Sequence, residues 1–268
     1  MKLRFNLAEN CTKMRYSTDV LKNIFSLAIM LSVSTSLYSV SDTPEKAEYR
    51  RNLAENARAA LIEKRLHAIG ECGTSRFTIC YRALVDNLQD PEPEIREQSI
   101  RALGKLNIKD AAEPLTAHLD KEENAQAKYA ILWALGYLGN AASSEKLAGL
   151  LNDEDAEVRR LSAHSLSNLA QKESLDAINA RIAEEKIDVT KAHLLRASLR
   201  IKIGQPEMIN QLIELLKSPD YWARYHTANT IKELRLKFAL KPLEHALKLE
   251  EQPNTRAAIQ SAIQALRF

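Results

Sequence analysis

The sequence predicts an all-α protein, a right-handed α-solenoid of about six helical-hairpin repeats with an N-terminal capping helix, and three observations carry that prediction. The first is recurrence. The pattern at 128–138 (KYAILWALGYL) returns at 96–106 (REQSIRALGKL), 159–169, 224–234 and 256–266, with a weaker copy at 192–202. Aligned, the copies place a branched apolar residue at Leu103, Leu135, Leu166, Leu199, Ile231 and Ile263, at steps of 32, 31, 33, 32 and 32. A fixed period in the thirties marks an array of stacked supersecondary units. The second is an i, i+4 apolar pair upstream of every copy, such as Leu84/Leu88, Leu115/Leu119 and Leu147/Leu151, which puts both side chains on one helix face. The third is composition: seven Gly and eight Pro in 268 residues are too few for a β-protein built on tight turns.

Charge separates the leader from the body. Five of the 38 bases and two of the 35 acids fall in residues 1–41, so 33 of each remain and the body is neutral. A neutral body argues against a nucleic-acid binder, whose affinity comes largely from neutralising phosphates. Within the leader, basic residues precede an apolar run at 24–33 and a Ser-rich stretch. Ten residues rise about 15 Å as a helix, roughly half a bilayer core, which suits the apolar region of a secretory signal. Ser39 and Ser41 flank Val40 as small residues do at a signal-peptidase site, so residues 1–41 are expected to be removed after Ser41, with Met1 or Met14 as the start. The mature protein is then periplasmic or extracellular and carries no other long apolar stretch for a membrane. An uncleaved anchor or a buried helix is the competing reading.

Residues 42–75 form the next unit. Pro44 opens a helix at N1, where its missing donor costs nothing. A single charged helix over 45–69 is expected to cap the array with a polar outer side. Cys72 and Cys80 follow in GECGTSRFTICY, while Cys11 lies in the leader. In an exported chain the pair reads as a structural disulfide. Two buried thiols, or a redox or metal pair, are the alternatives, although the spacing is not CxxC and no second Cys/His pair completes a zinc site.

The repeats fill 76–268. Each has a first helix, A, with the apolar pair and a second, B, with the recurrent pattern. Polar turns such as 90–94, 120–124, 152–157 and 218–222 supply Asp, Asn or Ser to accept orphan N–H groups at the start of B. A small residue precedes each apolar anchor (Ala102, Ala134, Ser165, Ser198, Thr230, Ala262), expected to let B approach A closely. The segments 90–106 (DPEPEIREQSIRALGKL) and 153–169 (DEDAEVRRLSAHSLSNL) resemble HEAT repeats, most closely the short bacterial type found in phycobilin-lyase subunits. That resemblance covers 76–268 and implies a concave surface lined by B helices that binds extended partners. Repeat four departs from the pattern, with Ala192 in the Arg column and Lys191 one residue earlier.

No chemistry announces itself. The six histidines form no i, i+4 metal pair, and HExxH, a Gly-rich phosphate loop and GxSxG are all missing. The chain is read as non-catalytic, with no cofactor and no metal. Positions one, five and nine after the Arg column of each B helix are not needed for the core. They bring together Tyr129, Trp133, Tyr137, Arg160 and His164, with His193 and Tyr225 contributing. Large aromatics and Arg are the usual anchors of protein interfaces, so this cluster is the expected contact for a protein or peptide. The competing reading packs Trp133 and Tyr137 between neighbouring B helices. A lyase- or chaperone-like subunit is the alternative function, which the repeat type implies.

Overall fold

The computed structural model describes residues 43–267. The leader, with its apolar run and the cleavage position after Ser41, lies outside the described residues. The chain divides into two compact units at 49/50, and the first is described only over 43–49, as the start of a helix.

Among the described residues there are fourteen α-helices and no strand, and no helix is long and apolar enough to cross a membrane. Helix α1 (Pro44–Asn56) and α2 (Ile62–Thr74) precede the six hairpins. The A helices are α3 (Tyr81–Asp86), α5 (Ala112–Leu119), α7 (Ser144–Gly149), α9 (Leu175–Glu184), α11 (Pro206–Glu214) and α13 (Leu240–Leu249). The B helices are α4 (Pro93–Leu106), α6 (Ala125–Leu138), α8 (Ala156–Leu169), α10 (Asp188–Ile201), α12 (Tyr221–Glu233) and α14 (Pro253–Arg267). Most A helices begin or end in a short 3-10 turn. All six apolar anchors are buried, and so are both members of five of the six A-helix pairs. Side-chain caps form at Asn124, Asp155 and Asp220, whose oxygens accept N–H groups of the first turn of α6, α8 and α12. Asp90 acts one step earlier, accepting from the Glu92 N–H in the turn itself.

The single helix expected over 45–69 is instead two, broken at 57–61. The break is stabilised by a side chain. Buried Asn87 donates from Nδ2 to the Ala57 carbonyl at 3.0 Å, satisfying a group the ended helix leaves orphaned. Helix α2 is then a seventh B helix. Its Arg65 stands four residues after the N-cap Leu61, as Arg96 does after Glu92, Arg159 after Asp155 and Arg224 after Asp220. Cys72 occupies the anchor position and is buried with Cys80, their sulfurs at disulfide distance.

The Arg column has a structural task the sequence reading did not assign. Arg96 donates from Nη1 to the Asp90 and Pro91 carbonyls, and its other nitrogens grip Glu122 of the next repeat at 2.8 Å each. Arg159 does the same with the Asp153 and Glu154 carbonyls and Glu185, and Arg224 with the Ser218 and Pro219 carbonyls and Glu250. Arg65 pairs with Asp90 in the same sense. Such forked, charge-assisted bonds are strong and fix geometry. Burial pushes the Glu122 carboxyl up, but Arg96, the Asn124 N–H and His118 outweigh it and hold the group down at about 2. Glu185 is balanced alike, by Arg159, the Ile187 N–H and Arg181, also at about 2.

The small column faces the neighbouring B helix, not the A helix as expected. A Cβ built on Gly104 would fall 3.1 Å from the Ala134 Cβ, one on Gly73 3.0 Å from the Ala102 Cβ, and one on Gly136 2.7 Å from the Ser165 Cα. Gly and small residues therefore interlock along the B layer and set its spacing. Ser165 adds a bond across the same seam, donating to the Leu132 carbonyl at 2.7 Å.

Candidate partner-binding face

The B layer presents the predicted cluster on consecutive helices. On α6, Trp133 and Tyr137 stack with ring centroids 5.3 Å apart at 23°. Trp133 is half-buried, its ring lying against Gly104, where an added Cβ would meet its Cζ3 at 2.7 Å. Tyr137 is 45% exposed, and Arg76 donates to its hydroxyl at 3.4 Å. The Tyr129 hydroxyl bonds the Asp155 carboxylate, which first among its causes raises the phenol to about 12. On α8, Arg160 is held by Glu157 one turn back at 2.7 Å, and His164 is half-buried beside Asn168.

Repeat four corrects the reading of His193. Counted from the N-cap Ile187, the residue four positions on is Lys191, so the Arg column passes through Lys191 rather than Ala192. The face positions shift by one, from His193, Ala197 and Ile201 to Ala192, Arg196 and Arg200. Burial agrees at positions five and nine, where the Arg196 and Arg200 side chains are 18% and 31% exposed while His193 is 3% exposed and Ala197 fully buried; the small Ala192 at position one is itself fully buried. His193 is therefore closed off beneath the face. Its ring lies 5.5 Å from His164 and 4.3 Å from His226, and Arg160 donates to its Nε2 at 3.4 Å.

Three imidazoles on α8, α10 and α12 thus form a row. Burial, then the positive charge of Arg196 and Arg160, pushes His164 down to about 4. Burial with Arg160 and Arg196 does the same to His226, also to about 4, against a smaller opposing pull from Asp220. Burial drives His193 well below its ordinary value. All three are neutral at pH 7, and among the described residues no group of His, Cys, Asp and Glu is arranged to hold a metal ion.

Beyond the row, Tyr225 packs edge-on to Trp222 and His226, at 5.7 and 5.2 Å. Trp222 and Tyr221 are 44% and 38% exposed at the start of α12, their rings 5.0 Å apart. The sequence reading missed Tyr221, Trp222, Arg196, Arg200 and His226. The first two lie before the Arg column, outside the face positions one, five and nine, and the two arginines take face positions only in the register that starts from Lys191. A separate cleft of about 710 Å³ opens between α11 and α13 in the A layer, lined by Ile213, Leu216, Pro242 and Leu249 together with Lys241 and His245.

Comparison with known proteins agrees with this architecture. A HEAT repeat-containing taxis protein of Halobacterium salinarum is 33% identical over 76 residues, 28% of this chain, and the match spans only 19% of that relative's length. Among solved structures, a chain of the complex of CpcE and CpcF of phycocyanin lyase from Nostoc sp. PCC7120 superposes with a TM-score of 0.60 at 16% identity, covering 81% of this chain and 94% of that one. The Mot1 N-terminal domain in complex with TBP superposes with a TM-score of 0.52 at 19% identity, over 95% of this chain and 40% of that one. At these identities the likeness is one of fold. Residues 51–135 and 112–199 match the profile described as HEAT repeats, more than half of the sequence, and the chain belongs to the HEAT-repeat family.

Proposed function

We propose that the chain is an exported, non-enzymatic scaffold that holds a protein or peptide partner on its B-helix face. One observation carries the reading: the exposed aromatics Tyr137, Tyr221 and Trp222 stand on the B layer with guanidinium groups between them. Exposed aromatics and Arg gathered on one surface are the composition of interface anchors. Two fold neighbours come from complexes with a protein partner, TBP in one and a companion chain in the other. A second reading, a lyase- or chaperone-like subunit, draws on the phycocyanin lyase likeness alone.

The test is partner capture from the native envelope fraction with wild type, Tyr137→Ala and Trp133→Ala, alongside thermal melting. Tyr137 is exposed, so its truncation is expected to abolish capture and leave melting unchanged. Truncating a desolvated aromatic anchor costs about 2 kcal/mol or more of binding. Trp133 supports the α4–α6 seam as well, so its truncation should lower both. Undiminished capture by both variants refutes the proposal, and capture of a bilin-carrying protein with transfer of the pigment establishes the second reading.

A further inference from the structure

The corrected register changes the charge of the face. Positions one, five and nine of the B helices now carry Arg101, Lys105, Arg160, Arg196 and Arg200 against Glu97 and Glu233. The body of the chain is neutral, so this bias is local. Its centre lies between α10 and α12. Arg196 bonds Glu233 at 2.8 and 3.3 Å, and Arg200 bonds the same carboxylate at 2.9 Å. Two guanidiniums share one carboxylate, which leaves one positive charge uncompensated on a partly exposed surface. Half-buried His164 stands beside them as a neutral imidazole, its Nδ1 without a hydrogen-bond partner. Aromatic patches bound the basic centre on both sides, Trp133 and Tyr137 on α6 and Tyr221 and Trp222 on α12.

We infer that the occupant of this face is an extended acidic peptide segment, with a carboxylate seated at Arg196 and Arg200 and apolar side chains on the two flanking aromatic patches. The inference rests on the B-face reading above and adds the chemistry of the partner. Carboxylates meet Arg in fork geometry, and Arg200 has donors to spare once Glu233 is shared. Three helix-to-helix steps of about 8–10 Å separate α6 from α12, a span that about eight or nine extended residues cover. A nucleic-acid strand fits worse. It carries a phosphate on every nucleotide and cannot avoid the acids Glu157, Glu233 and Asp220 interspersed along the strip, whereas a peptide can place its carboxylates between them.

Fluorescence anisotropy on the full mature chain tests this with four labelled probes. Three are nine-residue peptides of alternating Leu with Glu, Gln or Lys, and the fourth is single-stranded oligothymidine. The Glu peptide is expected to bind at least about tenfold tighter than the others, weakening with added salt as exposed ion pairs do. Arg200→Gln should reduce that binding roughly tenfold while Arg196 keeps its bond to Glu233 and melting is unchanged. Lys146→Gln, the same loss of charge on the A layer, should change nothing. Equal binding of the Gln or Lys peptide, tightest binding of the oligonucleotide, or indifference to Arg200→Gln overturns the inference. Those results leave the B-face proposal standing if Tyr137→Ala still abolishes capture of the native partner, so the two failures are distinguishable.

Discussion

Gly136→Ala puts the B-layer seam to a quantitative test. The new Cβ would sit 2.7 Å from the Ser165 Cα and Cβ and closer still to its hydroxyl. Carbon atoms in contact prefer about 3.5–4.0 Å, so α6 and α8 must separate locally by roughly an ångström. The contact is backbone, which cannot rotate away. Overpacking of this kind costs about 1–3 kcal/mol. The shift also strains the Ser165 bond to the Leu132 carbonyl, worth about 1 kcal/mol. Against this, Ala gains about 1 kcal/mol of helix propensity over Gly. The net expectation is a loss of about 1–3 kcal/mol, a fall in melting temperature of about 2–12 °C for a chain of this size. Gly149→Ala is the control, because nothing lies within 4 Å of its added Cβ and its backbone is αR. It should gain about 0.5–1 kcal/mol. Melting followed by circular dichroism reads both. If Gly136→Ala is as stable as wild type, the interlocking of small residues does not set the B-layer spacing.

Three further outcomes are expected. Ala170 closes α8 at φ +50°, a conformation that costs an L-residue about 1–2 kcal/mol, so Ala170→Gly should raise the melting temperature. Stability should fall with acid in two stages: His164 and His226 have folded values near 4, below the unfolded 6.5, so the unfolded chain binds more protons and stability drops from about pH 6.5 towards 4. Glu122 and Glu185, held near 2 against an unfolded 4.5, extend the loss from about pH 4.5 to 2, and His164→Gln should remove part of the first stage only, as read by melting against pH. Mass spectrometry of the native protein should find Asp42 at its terminus and Cys72 joined to Cys80 in one non-reduced peptide; an intact Met1 or Met14, or free alkylation of both thiols, refutes the export reading or the disulfide.

The hairpins were legible because apolar anchors repeat, and burial is what the pattern encodes. Leu103, Leu135 and Leu166 are fully buried as their spacing requires. The seventh B helix was equally written in the sequence, since Arg65, Ile69, Cys72 and Gly73 each precede Arg96, Ile100, Leu103 and Gly104 by 31 residues. A Cys in place of Leu and Glu71 in place of a small residue mask it, since the pattern is carried by an apolar anchor after a small residue. The face was less legible. Alignment on Leu199 shifted α10 by one residue, because Ala197, Ser198 and Leu199 are all buried and the apolar signal does not choose among them. Lys191, four residues from the N-cap, was the better marker, since helix phase is set at the start of a helix. The interhelical role of the Arg column was not legible at all. It depends on a carboxylate 26 residues away, such as Glu122 for Arg96, and no local period exposes a pair of that separation.

The two aromatic patches differ in how far they depend on the packing beneath them. Trp133 rests where Gly104 leaves room, so its exposure follows the spacing of α4 and α6. Tyr221 and Trp222 begin α12 just after the cap formed by Asp220, in a first turn whose aromatic side chains project from the buried seam. Between them, Arg196 and Arg200 are held by Glu233 from the adjacent helix, so the basic centre keeps its geometry only while α10 and α12 stay in register. That register is reinforced at the start of the helices, where Ser218 donates to the Asp188 carboxylate at 2.5 Å beside a helix whose column carries Lys191 in place of Arg. The Ser218–Asp188 bond therefore ties α10 to the following turn where no column guanidinium does so, and positions five and nine of α10 place two arginines on the face, both paired with Glu233.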